Sequence, residues 1–434
     1  MSEKSSVGVG LLGMGVVGGG VARILSEKSS LIQGLVGGPV TLEGILVRDP
    51  QRTRSFDPPD GLITTNIEDI LSNPNVDIVV EVMGGQDPAL DYMLKSISLG
   101  KHVVTANKEV MARHGPDILT LAREKGVQVL FEASVAGGTP IIAPLIRDLV
   151  ANEIITIHGI VNGTTNYILT KMSKEGMGFE DALREAQALG YAEADPTNDV
   201  EGIDAAYKLA ILSTLGFRAR VKDDDVYREG ITRLTAKDFQ YADELGYAIK
   251  LLAIASKENG SVQVRVHPAL IRKDVMIANV DGVLNAVEVQ TDLAGRVLFH
   301  GPGAGDMPTT SAVTADLVDI ARNVIGNVVP PAPIVLSESI GVRPISELET
   351  KYYLRLNVME RPGVFAQILT ILGDLQISIA SAIQKENDDE SQRAEIVLMT
   401  HRASEAAIQN ALKLISALEV VNEIGNLIRV EEWD

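Results

Sequence analysis

Over the first third of the chain, short apolar runs alternate with stretches of helical period. Val7–Leu12, Leu42–Val47, Val76–Val82, His102–Thr105 and Val127–Phe131 read as strands. That alternation predicts a parallel, doubly wound sheet. The pattern changes near Phe131, where Glu132–Pro140 is a run of small residues that enters a helix at Pro140. Ile154–Val161 reads as a strand ending in Asn162-Gly163-Thr164-Thr165-Asn166, with a helix behind it. Later runs at Val262–His267, Met276–Val280, Val283–Gln290 and Arg296–Phe299 alternate like an antiparallel sheet covered on one face. Gly301–Gly305 breaks the chain, and Thr310–Ile325 has helical period and is expected to pack back on the first domain.

The stretch from Asn327 to Glu349 is dotted with prolines (Pro330, Pro331, Pro333, Pro344), lacks a period, and reads as a linker. Beyond it, Tyr352–Val358, a helix at Val364–Leu375, Ile377–Gln384, Glu395–Thr400, a helix at Ser404–Leu418 and a strand near Asn426–Val430 follow in turn. This β-α-β-β-α-β order is the ferredoxin-like split motif. The expected α/β organisation is a doubly wound, Rossmann-type domain (1–133), a central α+β domain (134–305) and a helix returning to the first domain (306–326). A linker (327–349) and a small ferredoxin-like domain (350–434) complete it.

Composition narrows the function. A formal charge of −19 argues against nucleic acid and anionic membranes as partners, because phosphate backbones demand basic surfaces. No run of about 20 apolar residues offers a membrane span. There are no cysteines, which removes disulfides, thiolate metal sites and thiol nucleophiles, and with no targeting segment in view a cytoplasmic location is expected. The six histidines are scattered without an i,i+4 pair, so a zinc site is not expected.

Two motifs carry chemistry. The first is Gly13-Met14-Gly15-Val16-Val17-Gly18, placed between the strand Val7–Leu12 and a helix. In that setting Gly13 permits a tight turn, Gly15 lets backbone approach a pyrophosphate, and Gly18 allows close helix–strand packing. At the end of the second strand Arg48 precedes Asp49, with Arg52 and Arg54 close behind. Arginine there accommodates the 2′-phosphate of NADP, whereas an acidic residue would favour NAD, so NADP is the expected cofactor with NAD as the alternative. The second motif is Ala186–Lys208, which gathers Glu193, Asp195, Asp199, Glu201, Asp204 and Lys208 into one loop-then-helix passage. Asp204 and Lys208 stand at i and i+4, beside an apolar stripe of Ile203, Tyr207, Ala210, Ile211 and Thr214. The spacing fits a polar substrate carrying an ammonium and a hydroxyl, or else an ordinary surface ion pair.

Taken with Thr105-Ala-Asn-Lys108, Glu132–Pro140, Asn162–Asn166, Gly303–Pro308 and Arg361-Pro-Gly363, these motifs give a chain that resembles the homoserine dehydrogenase family over essentially its whole length. The form it resembles is the long one, with a C-terminal ACT domain. One departure is Ala194, where proline is frequent in the family; it touches loop stiffness and none of the charged positions.

The resemblance implies interconversion of L-aspartate 4-semialdehyde and L-homoserine by a nicotinamide cofactor. Reducing the aldehyde creates alkoxide character, which needs a proton donor or cation. The resemblance assigns that task to Lys208, oriented by Asp204, with Lys108 as a second cation beside nicotinamide and substrate. Glu193, then Asp199, would take the substrate ammonium, and Gly163 and Thr164 its other polar atoms. Thr105, Lys108, Gly303 and Gly305 would join Gly13–Gly18 and Arg48 around the cofactor. Glu132, Val135, Gly137 and Thr139 resemble a loop whose carbonyls hold a monovalent cation such as sodium. The C-terminal unit implies a small-amino-acid effector, threonine first, and a homodimer or higher homo-oligomer.

Three rivals are weighed. Aspartate-semialdehyde dehydrogenase needs a cysteine that this chain lacks, and phosphoglycerate dehydrogenase carries its fingerprint mid-chain. A non-catalytic, nucleotide-binding amino-acid sensor would make Lys108, Glu193 and Lys208 dispensable together.

Overall fold

A computed structural model describes residues 4–54, 56–328, 334–385 and 393–433. In chain order the main elements begin with β1 (Val7–Leu12), α1 (Val16–Glu27), β2 (Val40–Leu46), β3 (Ile63–Thr64), β4 (Val76–Glu81), β5 (His102–Thr105), α2 (Lys108–Lys125) and β6 (Val129–Leu130). Then come β7 (Ile154–Ile160), α3 (Gly163–Glu175), α4 (Ile203–Phe217), α5 (Ala236–Glu244), β8 (Tyr247–Glu258) and β9 (Ser261–Arg272). The rest are β10 (Leu284–Thr291), β11 (Arg296–Pro302), α6 (Asp306–Ile325), β12 (Glu349–Met359), α7 (Val364–Asp374), β13 (Ile379–Lys385), β14 (Arg393–Thr400), α8 (Glu405–Ser416) and β15 (Val421–Val430). No helix among the described residues is long and apolar enough to cross a membrane.

The chain forms two compact units, both discontinuous in sequence. The first comprises residues 1–157, 207–226 and 285–341. Its parallel sheet has the order β3-β2-β1-β4-β5-β6. Every residue of β1 is buried, as expected of a central parallel strand covered on both faces. As its period suggests, α6 returns to this domain: Val313, Leu317, Ile320 and Ala321 share a core with Val7, Val9, Val21 and Leu25.

The second unit comprises residues 158–206, 227–284 and 342–434. Here β9 pairs antiparallel with β8 across Asn259-Gly260, both at positive φ, and parallel with β15 through Ala269–Arg429 and Leu270–Val430. The sheet continues from β15 through β12 and β14 to β13. The C-terminal split motif is present as expected. It is edge-joined to the sheet before it.

Strand β12 alternates as a two-faced strand should. Tyr352, Leu354, Leu356 and Val358 face a core shared with Ile368 and Leu372 of α7 and Ile408 and Ile415 of α8. The intervening Tyr353 and Arg355 turn toward α5. Arg355 donates to Asp238 (2.7 Å), Glu395 (3.0 Å) and the Thr235 hydroxyl (3.0 Å). A second guanidinium, Arg429 of β15, forks onto Glu405 (2.8 and 2.6 Å) and reaches Glu229 (2.8 Å).

Three local expectations change. Met276–Asn279 is a short 3-10 turn, not a strand, closed by the Asn279 side chain donating to the carbonyls of Lys273 and Val275. The β8 strand was unforeseen, because an unbroken apolar run fits a buried helix and a buried strand equally well. The linker expected over 327–349 lies partly outside the described residues, at 329–333. Its described part is tied down: Ser337 bridges to Ala219 and Val342 to Val262.

Removing one member of a buried ion pair strands the other, at a cost of about 3–5 kcal/mol. Asp238 is wholly buried, so Arg355→Ala should lower the free energy of unfolding by about that amount. Combining it with Asp238→Leu should recover part of the loss. Chemical denaturation followed by circular dichroism measures both.

Candidate active site

The fingerprint turn leaves β1 in a shape that only glycine fits. Gly13 has φ +98°, and a Cβ on Gly18 would sit 2.1 Å from the Gly13 carbonyl. Gly15 caps α1, and a Cβ there would meet nothing within 4 Å. No carboxylate occupies the first turn of α1, and Val16 beside the turn is 65% exposed. The opening therefore presents free amides and a positive helix end, which suits an anionic pyrophosphate. Met14 is buried beneath it.

Past β2, Asp49 is occupied by its own turn, accepting the Gln51 amide at 2.9 Å. Arg54 likewise turns inward, onto the carbonyls of Pro50 and Arg52. Arg48 is exposed, with no side-chain partner among the described residues.

The carboxyl ends of β4 and β5 form a tight polar knot. Glu81 is fully buried, accepting the Met83 amide (2.8 Å) and the Thr105 hydroxyl (2.6 Å). Thr105 Oγ1 in turn accepts the Asn107 amide (2.9 Å), and the Asn107 side chain caps α2 by accepting from Val110 (3.1 Å). Half-buried Lys108 is the first residue of α2. Burial pushes the Glu81 carboxyl above its ordinary range, partly opposed by its hydrogen bonds from Thr105 and Met83.

Helix α4 carries Asp204 and Lys208 one turn apart, and both are buried (4% and 8% exposed). The surface ion-pair reading is thereby corrected: the helix is buried on nearly every side rather than along one stripe. Arg113 of α2 donates to the Tyr207 hydroxyl (2.8 Å), lies over the Tyr207 ring and pairs with Asp223 (3.1 Å). This ties the helix of Lys108 to that of Lys208 within the first unit.

In the second unit Asn162 caps α3, its Oδ1 accepting the Thr165 amide at 2.8 Å. Its Nδ2 donates to Asp199 (2.7 Å) and Asp204 (2.9 Å). Thr164 donates to the Tyr191 carbonyl (2.6 Å), bringing the start of α3 against the acidic loop. Gly163 fits against the Val283 carbonyl, which a Cβ would approach to 2.7 Å. Glu193 is exposed on that loop. Asp195 braces the turn itself, accepting the Thr197 amide and hydroxyl, and these bonds hold its carboxyl below the usual range.

The small-residue loop is knitted within itself and to Pro302–Gly303. Both Glu132 carboxylate oxygens are taken by the amides of Ile141, Ile142 and Ala143 (2.6–2.9 Å). Gly138 and Thr139 both donate to the Pro302 carbonyl, and Gly305 caps α6.

Reasoning from sequence missed Glu81, Arg113 and Asn162 as organising residues. Glu81 lies at a strand end and Asn162 opens the Asn162–Asn166 segment, but the carboxylates and hydroxyl they bind are 24 and 37–42 residues away.

Residues 13–132 match the family described as "Homoserine dehydrogenase, NAD binding domain", 140–318 "Homoserine dehydrogenase" and 352–420 "ACT domain". The chain is 46% identical over 432 residues to homoserine dehydrogenase of Pseudomonas aeruginosa, covering 98% of this chain and 99% of that one. It superposes on the crystal structure of a homoserine dehydrogenase from Thiobacillus denitrificans with a TM-score of 0.92, at 44% identity and 98% coverage of both chains. A hyperthermophilic archaeal homoserine dehydrogenase in complex with NADPH aligns with a TM-score of 0.62 at 30% identity, over 73% of this chain and 97% of that one. With its glycine turn, its buried aspartate and lysine on one helix and its C-terminal split motif, this chain belongs to the homoserine dehydrogenase family of NAD(P)-dependent oxidoreductases.

Proposed function

We propose that the enzyme works with NADP in preference to NAD, reducing L-aspartate 4-semialdehyde to L-homoserine through the residues named above. The observation that carries this reading is a buried lysine one turn from a buried aspartate, on a helix tied to α2 by Arg113. A family relative solved with NADPH, and the exposed Arg48 beside an occupied Asp49, support the cofactor preference.

Gly13, Gly15 and Gly18, with Met14, Val16 and Val17 between them, would hold the pyrophosphate, and Arg48 the 2′-phosphate. Thr105, Lys108, Gly303 and Gly305 would line the rest of the cofactor. When bound, the nicotinamide supplies or accepts the hydride. Lys208 delivers a proton from Nζ to the carbonyl oxygen as negative charge develops there. Asp204 fixes the direction of that ammonium, and Lys108 adds a second positive charge at the developing alkoxide. Glu193 and Asp199 bind the substrate ammonium, while the amide of Gly163 and the hydroxyl of Thr164 hold its other polar atoms.

A monovalent cation on the carbonyls of the 132–139 loop is a compatible addition. There the Glu132 carboxylate shapes the loop rather than ligating. The ACT domain is read as a threonine sensor in a cytoplasmic homo-oligomer. The sensor-only alternative is not favoured, given how much of catalytic relatives the chain covers.

The direct test follows the oxidation of NADPH and NADH at 340 nm with aspartate semialdehyde, with and without threonine. Turnover with NADPH well above that with NADH is expected, lowered by threonine. NADH turning over faster would reverse the cofactor assignment.

Lys208→Ala should cut kcat by a factor on the order of 10² to 10⁴ while the Kd for NADPH, read by fluorescence titration, stays within about twofold. Loss of cofactor binding as well would give Lys208 a structural role instead. Glu193→Leu should raise the KM for homoserine by about tenfold or more, as removal of a charge-assisted hydrogen bond does, with a smaller effect on kcat. An unchanged KM would remove Glu193 from the substrate site.

A further inference from the structure

Glu81 is a fully buried carboxylate that organises the ends of β4 and β5 but has no part in the proposed mechanism. It is the last residue of β4, and β4 stands beside β1 where the strand order reverses direction. In doubly wound sheets a dinucleotide lies across the carboxyl ends of the strands at this point. With the pyrophosphate on the glycine turn after β1, the β4–β6 side is left for the nicotinamide half.

No part of Glu81 is exposed, and no cationic side chain pairs with it among the described residues. Donors hold it instead: the Met83 amide and the Thr105 hydroxyl, joined by the Gly84 amide and the Asn107 side chain. Neutral donors orient a carboxylate but leave its charge uncompensated, and a buried, uncompensated anion is costly. An anion held here without a cationic partner is suited to a cation that arrives with a ligand.

We propose that Glu81 is a fixed counter-anion for the oxidised nicotinamide ring, a positioning residue that biases the enzyme toward the oxidised cofactor through charge rather than contact. The inference rests on the dinucleotide-binding reading of this domain and deepens it. The oxidised ring carries a positive charge that the reduced ring lacks, so an anion held nearby attracts one form and is indifferent to the other. The same knot orients Thr105 and Asn107, and so the start of the helix that presents Lys108.

The test is the ratio of dissociation constants for NADP+ and NADPH, measured by calorimetry and fluorescence without substrate. Glu81→Gln and Glu81→Asn remove the charge with different packing, so one serves if the other does not fold, while Glu81→Asp keeps it. In the neutral variants NADP+ should weaken relative to NADPH by about tenfold or more. In Glu81→Asp the ratio should stay within about threefold of the parent even where both affinities fall. A ratio unchanged in the neutral variants, or lost equally in Glu81→Asp, would overturn the proposal. A parent enzyme that bound neither cofactor form would instead refute the dinucleotide reading.

Discussion

The Asn162 side chain has no spare capacity. Its oxygen accepts the Thr165 amide and hydroxyl, and its two N–H groups go to Asp199 and Asp204. One amide therefore caps a helix and holds two carboxylates that would otherwise repel each other at close range. It fixes where α3 begins, which places Gly163 and Thr164. It also sets the separation of the acidic loop from α4, and with it the start of the helix that carries Lys208. Few substitutions could preserve all four bonds, since only an amide offers two donors and two acceptor positions there.

The C-terminal domain is held to its unit by buried charge as well as by strand pairing. Arg355 and Arg429 each satisfy carboxylates contributed from outside the split motif, Asp238 and Glu229 respectively, as well as from within it. Glu229 is followed by Gly230 and Ile231, and Ile231 donates to the Val200 carbonyl at 2.8 Å, immediately before the turn that enters α4. An ACT domain joined in this way is part of the sheet, not a tethered appendage.

Much of this was legible in the sequence, and for identifiable reasons. The glycine turn, the β-α-β-β-α-β order and the Asp204–Lys208 spacing are local patterns, with all their information inside a few tens of residues. The β8 strand was hidden because IKLLAIAS has no polar alternation, although the Asn259-Gly260 pair after it is a strong hairpin signal. Burial of Asp204 and Lys208 could not be read from α4 alone, since what covers a helix is set by distant segments. The bridging roles of Glu81 and Asn162 were hidden for the same reason: each acts through partners that only the folded topology brings near. The three backbone amides that occupy the Glu132 carboxylate likewise come from a segment nine to eleven residues on, which only the folded loop brings to it.

The position of β15 has a consequence for how the molecule is made. Although it follows every other strand in the sequence, it lies between β9 and β12 rather than at an edge. Until Val421–Val430 emerges from the ribosome, both neighbours expose unpaired backbone groups on the flank it will fill, a surface open to errant strand addition. Vectorial synthesis therefore cannot close this sheet strand by strand: the keystone is translated after both of its neighbours, and they must wait for it.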